Sequence, residues 1–141
     1  MKFSTKSRYA LRAMIELALH YNEGPVSVKT IAENQGISEA YLEQLMAGLT
    51  RSNLAKSVRG AQGGYLLAKD PSMIKVGDVI RAMEGAMVPV ECVHPENPFE
   101  CERYEKCVSK KVWEKVRDVL NDALDSLTLQ DLKNELLMSQ K

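Results

Sequence analysis

Apolar residues recur at helical spacing from about Thr5 to Tyr21: Ala10, Met14, Leu17, Ala18 and Tyr21 form one stripe, and Leu11, Ile15 and Leu19 a second. Two stripes predict burial on two sides, one against a domain core, with a second subunit the candidate for the other. Asn22-Glu23-Gly24-Pro25 reads as a turn. Ser27 is placed to cap a short helix over 28–34 with Ile31 and Ala32 facing inward, and Gln35-Gly36-Ile37 breaks it. Ser38 caps the next helix, over 39–50, with Glu39 at its positive end. Leu42, Leu45, Met46 and Leu49 fall on one side of that helix; Glu39, Ala40, Glu43, Gln44 and Ala47 fall on the other.

Two short helices joined by a glycine-containing turn make a helix-turn-helix pattern, which also occurs in ordinary helical cores. The next segment of the chain distinguishes the two cases. Lys56-Ser57-Val58-Arg59 and Tyr65-Leu66-Leu67-Ala68 alternate as short strands, and Gly60-Ala61-Gln62-Gly63-Gly64 supplies the flexible tip of a hairpin. A hairpin directly after a helix-turn-helix is the wing of a winged helix. The rival, a phosphate-cradling glycine loop, lacks both GxGxxG and GxxxxGK, and no helix starts directly after it.

Asp70-Pro71 ends the wing, and 76–84 reads as a helix closed by Gly85. Residues 86–108 read as irregular, with Pro89, Pro95, Pro98 and all three cysteines. A long helix over 109–127 then carries Val112, Trp113, Val116, Val119, Leu120, Ala123, Leu124 and Leu127 on one face and charged residues on the other. Thr128 with Asp131 approximates a capping box for a last short helix. With few elements to cover it, the long helix is expected to pair with its copy in a homodimer. The fold class is therefore mainly α with a small β-wing. It comprises a winged helix-turn-helix domain over 1–85, a cysteine-containing sensor loop over 86–108, and a dimerisation helix with a short C-terminal helix over 109–141.

Composition agrees: 45% hydrophobic, 27% charged and only 6% aromatic residues describe a soluble protein that favours helix over sheet. No apolar run approaches membrane-spanning length, because Arg12 and Glu16 interrupt the stretch 9–19. Lys2, Lys6, Arg8 and Arg12 interleave with apolar residues unlike a signal peptide, so a cytoplasmic protein with no membrane partner is expected. The net charge of zero hides an asymmetry. Residues 1–69 carry nine Lys/Arg against five Asp/Glu, and residues 70–141 carry ten against fourteen, so +4 is joined to −4. That suits a chain that meets a polyanion at one end, although chance segregation of surface charge gives the same totals.

The expected partner is a double-stranded DNA operator. The second helix of a helix-turn-helix enters the major groove, and here it presents Ser38, Glu39, Tyr41, Glu43 and Gln44. Gln44 matches adenine, and Glu43 accepts from a cytosine amino group while repelling phosphates, which makes it a specificity filter. Tyr41 stands beside the apolar stripe and fits the core equally well. Lys56, Arg59 and Gly60 on the wing, with Lys2, Lys6, Arg8 and Arg51, are candidates for phosphate contacts, and Arg59 also for a minor groove. An enzyme is disfavoured: neither His20 nor His94, the only two histidines, belongs to a catalytic signature, no paired catalytic carboxylates stand out, and no small-molecule substrate is expected.

Cys92, Cys101 and Cys107 form a Cys-x8-Cys-x5-Cys cluster. A reducing compartment and an odd count disfavour a disulfide. Zinc more often shows a Cys-x2-Cys knuckle and four ligands. An iron–sulfur cluster and free redox-active thiols both fit, and the spacing alone leaves these chemistries open.

Several runs together resemble the Rrf2 family of bacterial regulators. They are Ser4-Thr5-Lys6-Ser7-Arg8-Tyr9-Ala10-Leu11, Ile37-Ser38-Glu39-Ala40-Tyr41-Leu42-Glu43-Gln44-Leu45 and Ser57-Val58-Arg59-Gly60-Ala61-Gln62-Gly63-Gly64-Tyr65. Val76-Gly77-Asp78-Val79-Ile80, Glu84-Gly85 and Thr128-Leu129-Gln130-Asp131-Leu132 match as well, so the resemblance spans nearly the whole chain. It implies a homodimeric winged-helix transcription regulator, most often a repressor, with Cys92, Cys101 and Cys107 at the cluster positions of sensor members. In the IscR-like branch that cofactor is commonly a 2Fe–2S cluster, and the resemblance implies regulation of cluster-biogenesis genes. The N-terminal half is also similar to CymR, which leaves a thiol, nitric-oxide or cysteine-metabolism regulator without a stable cluster as the alternative. The gap between Cys92 and Cys101 is longer than is usual in the family, and the fourth ligand departs from the pattern. IscR-like members place a histidine three residues after the last cysteine, and this chain has Lys110 there. A partner-subunit acid that ligates in some relatives is matched by Arg8, a cation. His94 and the carboxylates Glu91, Glu96, Glu100, Glu102 and Glu105 remain candidates for a fourth ligand. In the IscR-like branch, cluster binding is thought to reposition the acid matched by Glu43, so that DNA otherwise rejected becomes acceptable.

Overall fold

Serine hydroxyls start the first three helices. Ser4 accepts the backbone N–H of Ser7 at 3.2 Å, Ser27 that of Thr30 at 3.1 Å, and Ser38 that of Tyr41 at 3.1 Å, each satisfying a donor that the first turn leaves unpaired. The computed structural model describes residues 2–96 and 101–140. Along them run α1 (Thr5–Leu19), α2 (Val28–Gln35), α3 (Glu39–Arg51), β1 (Ala55–Val58), β2 (Gly64–Leu67), α4 (Val76–Glu84), α5 (Lys110–Asp125) and α6 (Leu129–Ser139). The turn between α2 and α3 is made by Gly36, whose φ of 67° places it in the left-handed region that ends a helix. This is the winged helix-turn-helix expected from the pattern.

The first stripe of α1 (Ala10, Met14, Leu17, Ala18) is buried with Ile31, Leu42, Met46 and Leu49 in one core. The second stripe finds partial cover within the chain. Leu11 and Ile15 are half-buried against the chain's own apolar clusters, and α1 packs on α4 and α6. Part of that side of α1 is therefore covered by the same chain, while Ile15 and Leu19 line an open groove with Leu132 and Leu136. Glu16 also faces inward and is buried. Its carboxylate accepts from the Asn34 amide and, at 3.1 Å, from the Gln35 amide, which solvates the charge and ties α1 to the end of α2.

The wing pairs Ala55 with Leu67 and Val58 with Gly64 in an antiparallel ladder. Both strands begin one residue earlier than their alternation predicts. Ala55 and Leu67 belong to the core and Leu54 is buried beside them, so burial sets the register and leaves Arg59 beyond the last pair. The hairpin is anchored from outside as well. Val26 donates to the Tyr65 carbonyl at 2.8 Å, and Tyr65 donates back at 2.9 Å.

After the wing, α4 buries Val76, Val79 and Ile80, and its start is stitched to the α5–α6 junction. The Val76 N–H donates to the Leu127 carbonyl and the Leu129 N–H to the Ile74 carbonyl, both at 2.9 Å. These bonds seat Leu129 in the main core and fold α6 back onto α1. Between them α5 stands proud of the domain. Leu120 and Leu124 pack beside Val76, Ile80 and Met87, yet no residue of α5 is buried.

Candidate DNA interface and sensor loop

The side chains of α3 divide as their spacing requires: Leu42, Leu45, Met46 and Leu49 point into the core, and Glu39, Glu43 and Gln44 are exposed. Ser38 is spent on the cap, so its hydroxyl holds the helix start and its backbone faces outward with Glu39. Tyr41 is half-buried, its ring edge-on to Tyr9 of α1 at 6.2 Å between centroids and 81° between planes. Tyr9 in turn lies 5.3 Å beneath the Arg12 guanidinium. This stack joins the recognition helix to α1 at the edge of their shared core. On the wing Lys56 and Arg59 are exposed, and Gly60 carries a φ of 105° at the tip. Lys2, Lys6, Arg8 and Arg51 are exposed as well.

Sequence reasoning took Tyr65 only as a strand residue. It is half-buried on β2, and its hydroxyl is held above the usual tyrosine range, first by burial and then by the negative charge of Glu43. Wing and recognition helix thus share one electrostatic neighbourhood, and Glu43 is its acid. No spacing rule relates positions on a helix and a later strand, so nothing in the sequence pattern pairs them.

The cysteine loop begins after Gly85. Cys92 is half-buried in a single 3-10 turn (Glu91–Val93), Cys101 is exposed, and Cys107 is half-buried after a second such turn (Tyr104–Lys106). All three thiols are free. The Cys107 sulfur lies 3.1 Å from the Ser109 hydroxyl. That contact first, and the Lys110 backbone N–H second, hold the thiol below its ordinary range and favour the thiolate. His94 accepts the Glu96 N–H on Nδ1 at 3.1 Å. Lys110, at the position where a histidine was the expected ligand, donates to the Tyr104 carbonyl at 2.7 Å with its ammonium 3.8 Å over the Tyr104 ring. Glu100, one of the candidate carboxylates, and Pro98 lie outside the described residues. Among the described residues no three Cys, His, Asp or Glu side chains are gathered as a metal site. The donor chemistry, three thiols on one loop with one drawn toward thiolate, suits an iron–sulfur cluster; the loop as arranged does not bring the thiols together.

A recognition helix with an exposed polar face, followed by a basic wing, defines a DNA-binding transcription regulator of the winged-helix class, not an enzyme. Comparison with known proteins names the group: residues 3–135 match the Rrf2 family, described as an iron-dependent transcriptional regulator, and the chain belongs to that family. It is 46% identical over 132 residues to the transcriptional regulator CymR of Bacillus subtilis, covering 94% of this chain and 89% of that one. It is 41% identical over 134 residues to IscR of Pectobacterium atrosepticum, covering 95% and 80%. Among solved structures, IscR of T. potens superposes with a TM-score of 0.78 at 48% identity, covering all of this chain and 92% of that one. Among the described residues no helix is long and apolar enough to cross a membrane.

Proposed function

We propose that the chain is a homodimeric, cytoplasmic, sequence-specific repressor whose operator choice responds to a 2Fe–2S cluster held by Cys92, Cys101 and Cys107. One observation supports this above the others: three free thiols stand on one loop in a fold and sequence similar to proteins named IscR. When bound, such a cluster supplies a labile, redox-active linkage among the thiolates. The same likeness supports cluster-biogenesis genes as the targets of its operators.

The chain's own residues account for the DNA side. Glu39, Glu43 and Gln44 face the major groove, and the Ser38 cap aims the start of α3 at it. Tyr41 sets the pose of α3 through Tyr9. Lys56 and Arg59 meet phosphates, and the bare Gly60 backbone lets the wing tip approach them closely.

A second reading has its own support. Lys110 replaces the histidine ligand, the described thiols are not gathered, and CymR is as similar as IscR is. On that reading the same thiols act without a stable cluster, sensing thiol oxidation or nitric oxide, or governing cysteine metabolism. Anaerobic purification with an absorption spectrum and iron and sulfide analysis separates the two. Coloured protein with iron and acid-labile sulfide in equal amounts is expected. Colourless protein without sulfide after attempted reconstitution would overturn the cluster and leave DNA binding standing.

A further inference from the structure

The first stretch of the sensor loop is fastened to α5 by its backbone. Asn121 donates from Nδ2 to the Met87 carbonyl at 2.9 Å, and Arg117 donates from Nη1 to the Val93 carbonyl at 2.9 Å, one residue after Cys92. Met87 and Val93 are both buried, so these two carbonyls have little access to water. Asn121 has a second face. Its Oδ1 accepts Nη1 of Arg81 on α4 at 3.0 Å, while Nη2 of the same guanidinium holds Asp125 at 2.6 Å. The Asn121 amide therefore has only one workable orientation: turned over, it would set oxygen against the Met87 carbonyl and N–H against a cation.

Arg81 occupies the last turn of α4, and that turn touches both DNA-facing elements. A Cβ at Gly48 of α3 would come within 2.8 Å of the Met83 methyl, so α4 and α3 meet there with no space to spare. Three residues after Arg81, Glu84 accepts the Ser4 N–H at 2.8 Å and the Ser7 hydroxyl at 2.6 Å at the start of α1. Asn121, Arg81, Met83 and Glu84 thus lead from the Met87 carbonyl, at the start of the loop that carries Cys92, to the recognition helix and the basic end of α1.

We propose that Asn121 is a positioning residue that couples the sensor loop to DNA binding. By bridging the Met87 carbonyl to Arg81, it makes the seating of α4 against α3 and α1 depend on the state of the loop's thiols. The inference rests on the reading of the chain as a thiol-loop DNA regulator, but not on the presence of a cluster. Coupling of this kind is a difference in operator affinity between two loop states, commonly about five-fold or more.

The test uses the full-length protein and a labelled duplex selected by the wild type from random DNA. Operator affinity is measured for protein with free thiols and for protein alkylated with iodoacetamide. Wild type should change by about five-fold or more between the two. Asn121→Asp keeps an acceptor for Arg81 but loses the donor to the buried Met87 carbonyl, so it should stay folded at the cost of some melting temperature while the change falls below about two-fold. Arg81→Lys, which removes the guanidinium that bridges Asn121 and Asp125 while keeping the charge, provides the same comparison if the first variant folds poorly. Hydrogen exchange adds a readout that a merely structural role would not move: operator binding should alter exchange in the 86–96 segment of wild type and not of Asn121→Asp. A wild type that selects no duplex would sink the DNA reading together with this one. A wild type that binds DNA but ignores alkylation, or variants that respond as strongly as wild type, would overturn the coupling alone.

Discussion

Glu84 closes α4 and accepts the hydroxyl of Ser7 at 2.6 Å, joining α4 to α1 across 77 positions of sequence. Hydrogen bonding from Ser4, then from the Ser7 hydroxyl, holds the Glu84 carboxyl below the usual range. A carboxyl whose pKa is depressed by folding adds stability that is complete above the unfolded value of about 4.3 and is lost as pH falls through the folded value. Wild type should therefore lose melting temperature on acidification below about pH 5 more steeply than Glu84→Gln does. Ser7→Ala, which deletes a buried hydroxyl bound to a charged group, should cost about 1–2 kcal/mol in urea titration at neutral pH. Parallel acid profiles for wild type and Glu84→Gln would show that the contact carries no such linkage.

Gly64 and Gly60 flank the wing tip with φ values of 150° and 105°, and both positions resist a side chain, but to different degrees. A Cβ at Gly64 would fall 2.0 Å from the Val26 carbonyl oxygen, a backbone atom engaged in the bridge to Tyr65, whereas one at Gly60 meets nothing within 4 Å. Gly60→Ala should cost only the left-handed backbone penalty, about 1–2 kcal/mol. Gly64→Ala must also open the bridge that anchors the wing, and should lose more than about 3 kcal/mol and most operator affinity. Urea titrations and gel shifts of the two variants check the order; equal losses would mean the Val26 bridge contributes nothing.

The elements were legible because local rules made them so. Ser4, Ser27 and Ser38 start helices, Gly36 ends one, and the α3 stripe separates Leu42 and Leu45 from Glu43 and Gln44 without any tertiary information. The strand register was not legible, because burial of Ala55 and Leu67 decided it. Nor was the return of α6 onto α1, which depends on the backbone bonds between 74–76 and 127–129. Glu16 read as an interruption of an apolar run, and its burial is explained only by Asn34 and Gln35, side chains from another helix. The cysteine spacing was visible, but Asn121 and Arg117, which fasten the loop, stood on the charged flank of an amphipathic helix with nothing to mark them.

Arg59 and Glu43 should fail in different ways. Arg59 is exposed beyond the last wing pair, and on the proposed function it meets backbone charge common to every sequence. Arg59→Ala should weaken binding to specific and scrambled duplexes alike and lower the slope of log affinity against log salt by about 1. Glu43 is exposed on the outer face of α3, and on the proposed function its charge penalises some sequences more than others. Glu43→Ala should leave affinity for the best operator within a few-fold and narrow the gap to scrambled DNA by about ten-fold, of the order expected for one base contact. Competition gel shifts across salt concentrations measure both quantities. Identical specificity ratios in both variants and wild type would remove Glu43 from the interface.

The outer face of α5 offers the sharpest test of dimerisation. Val112, Val116 and Val119 are 54%, 41% and 59% exposed within one chain, with Trp113 at 38% beside them. Isolated apolar residues on a surface need no explanation, but a helical stripe of them on an element with no buried residue requires a cover. In the proposed homodimer a second copy of α5 supplies one by symmetry. Val119→Glu adds a charge where a single chain already meets water, so the folded monomer should lose no more than about 0.5 kcal/mol. In a dimer the same two charges face each other in a desolvated seam, and the pair should dissociate at micromolar concentrations. Sedimentation equilibrium should then report one chain mass in place of two. Operator affinity should fall by orders of magnitude, because paired half-sites need paired recognition helices. An unchanged mass in Val119→Glu would place the dimer contact elsewhere on the chain.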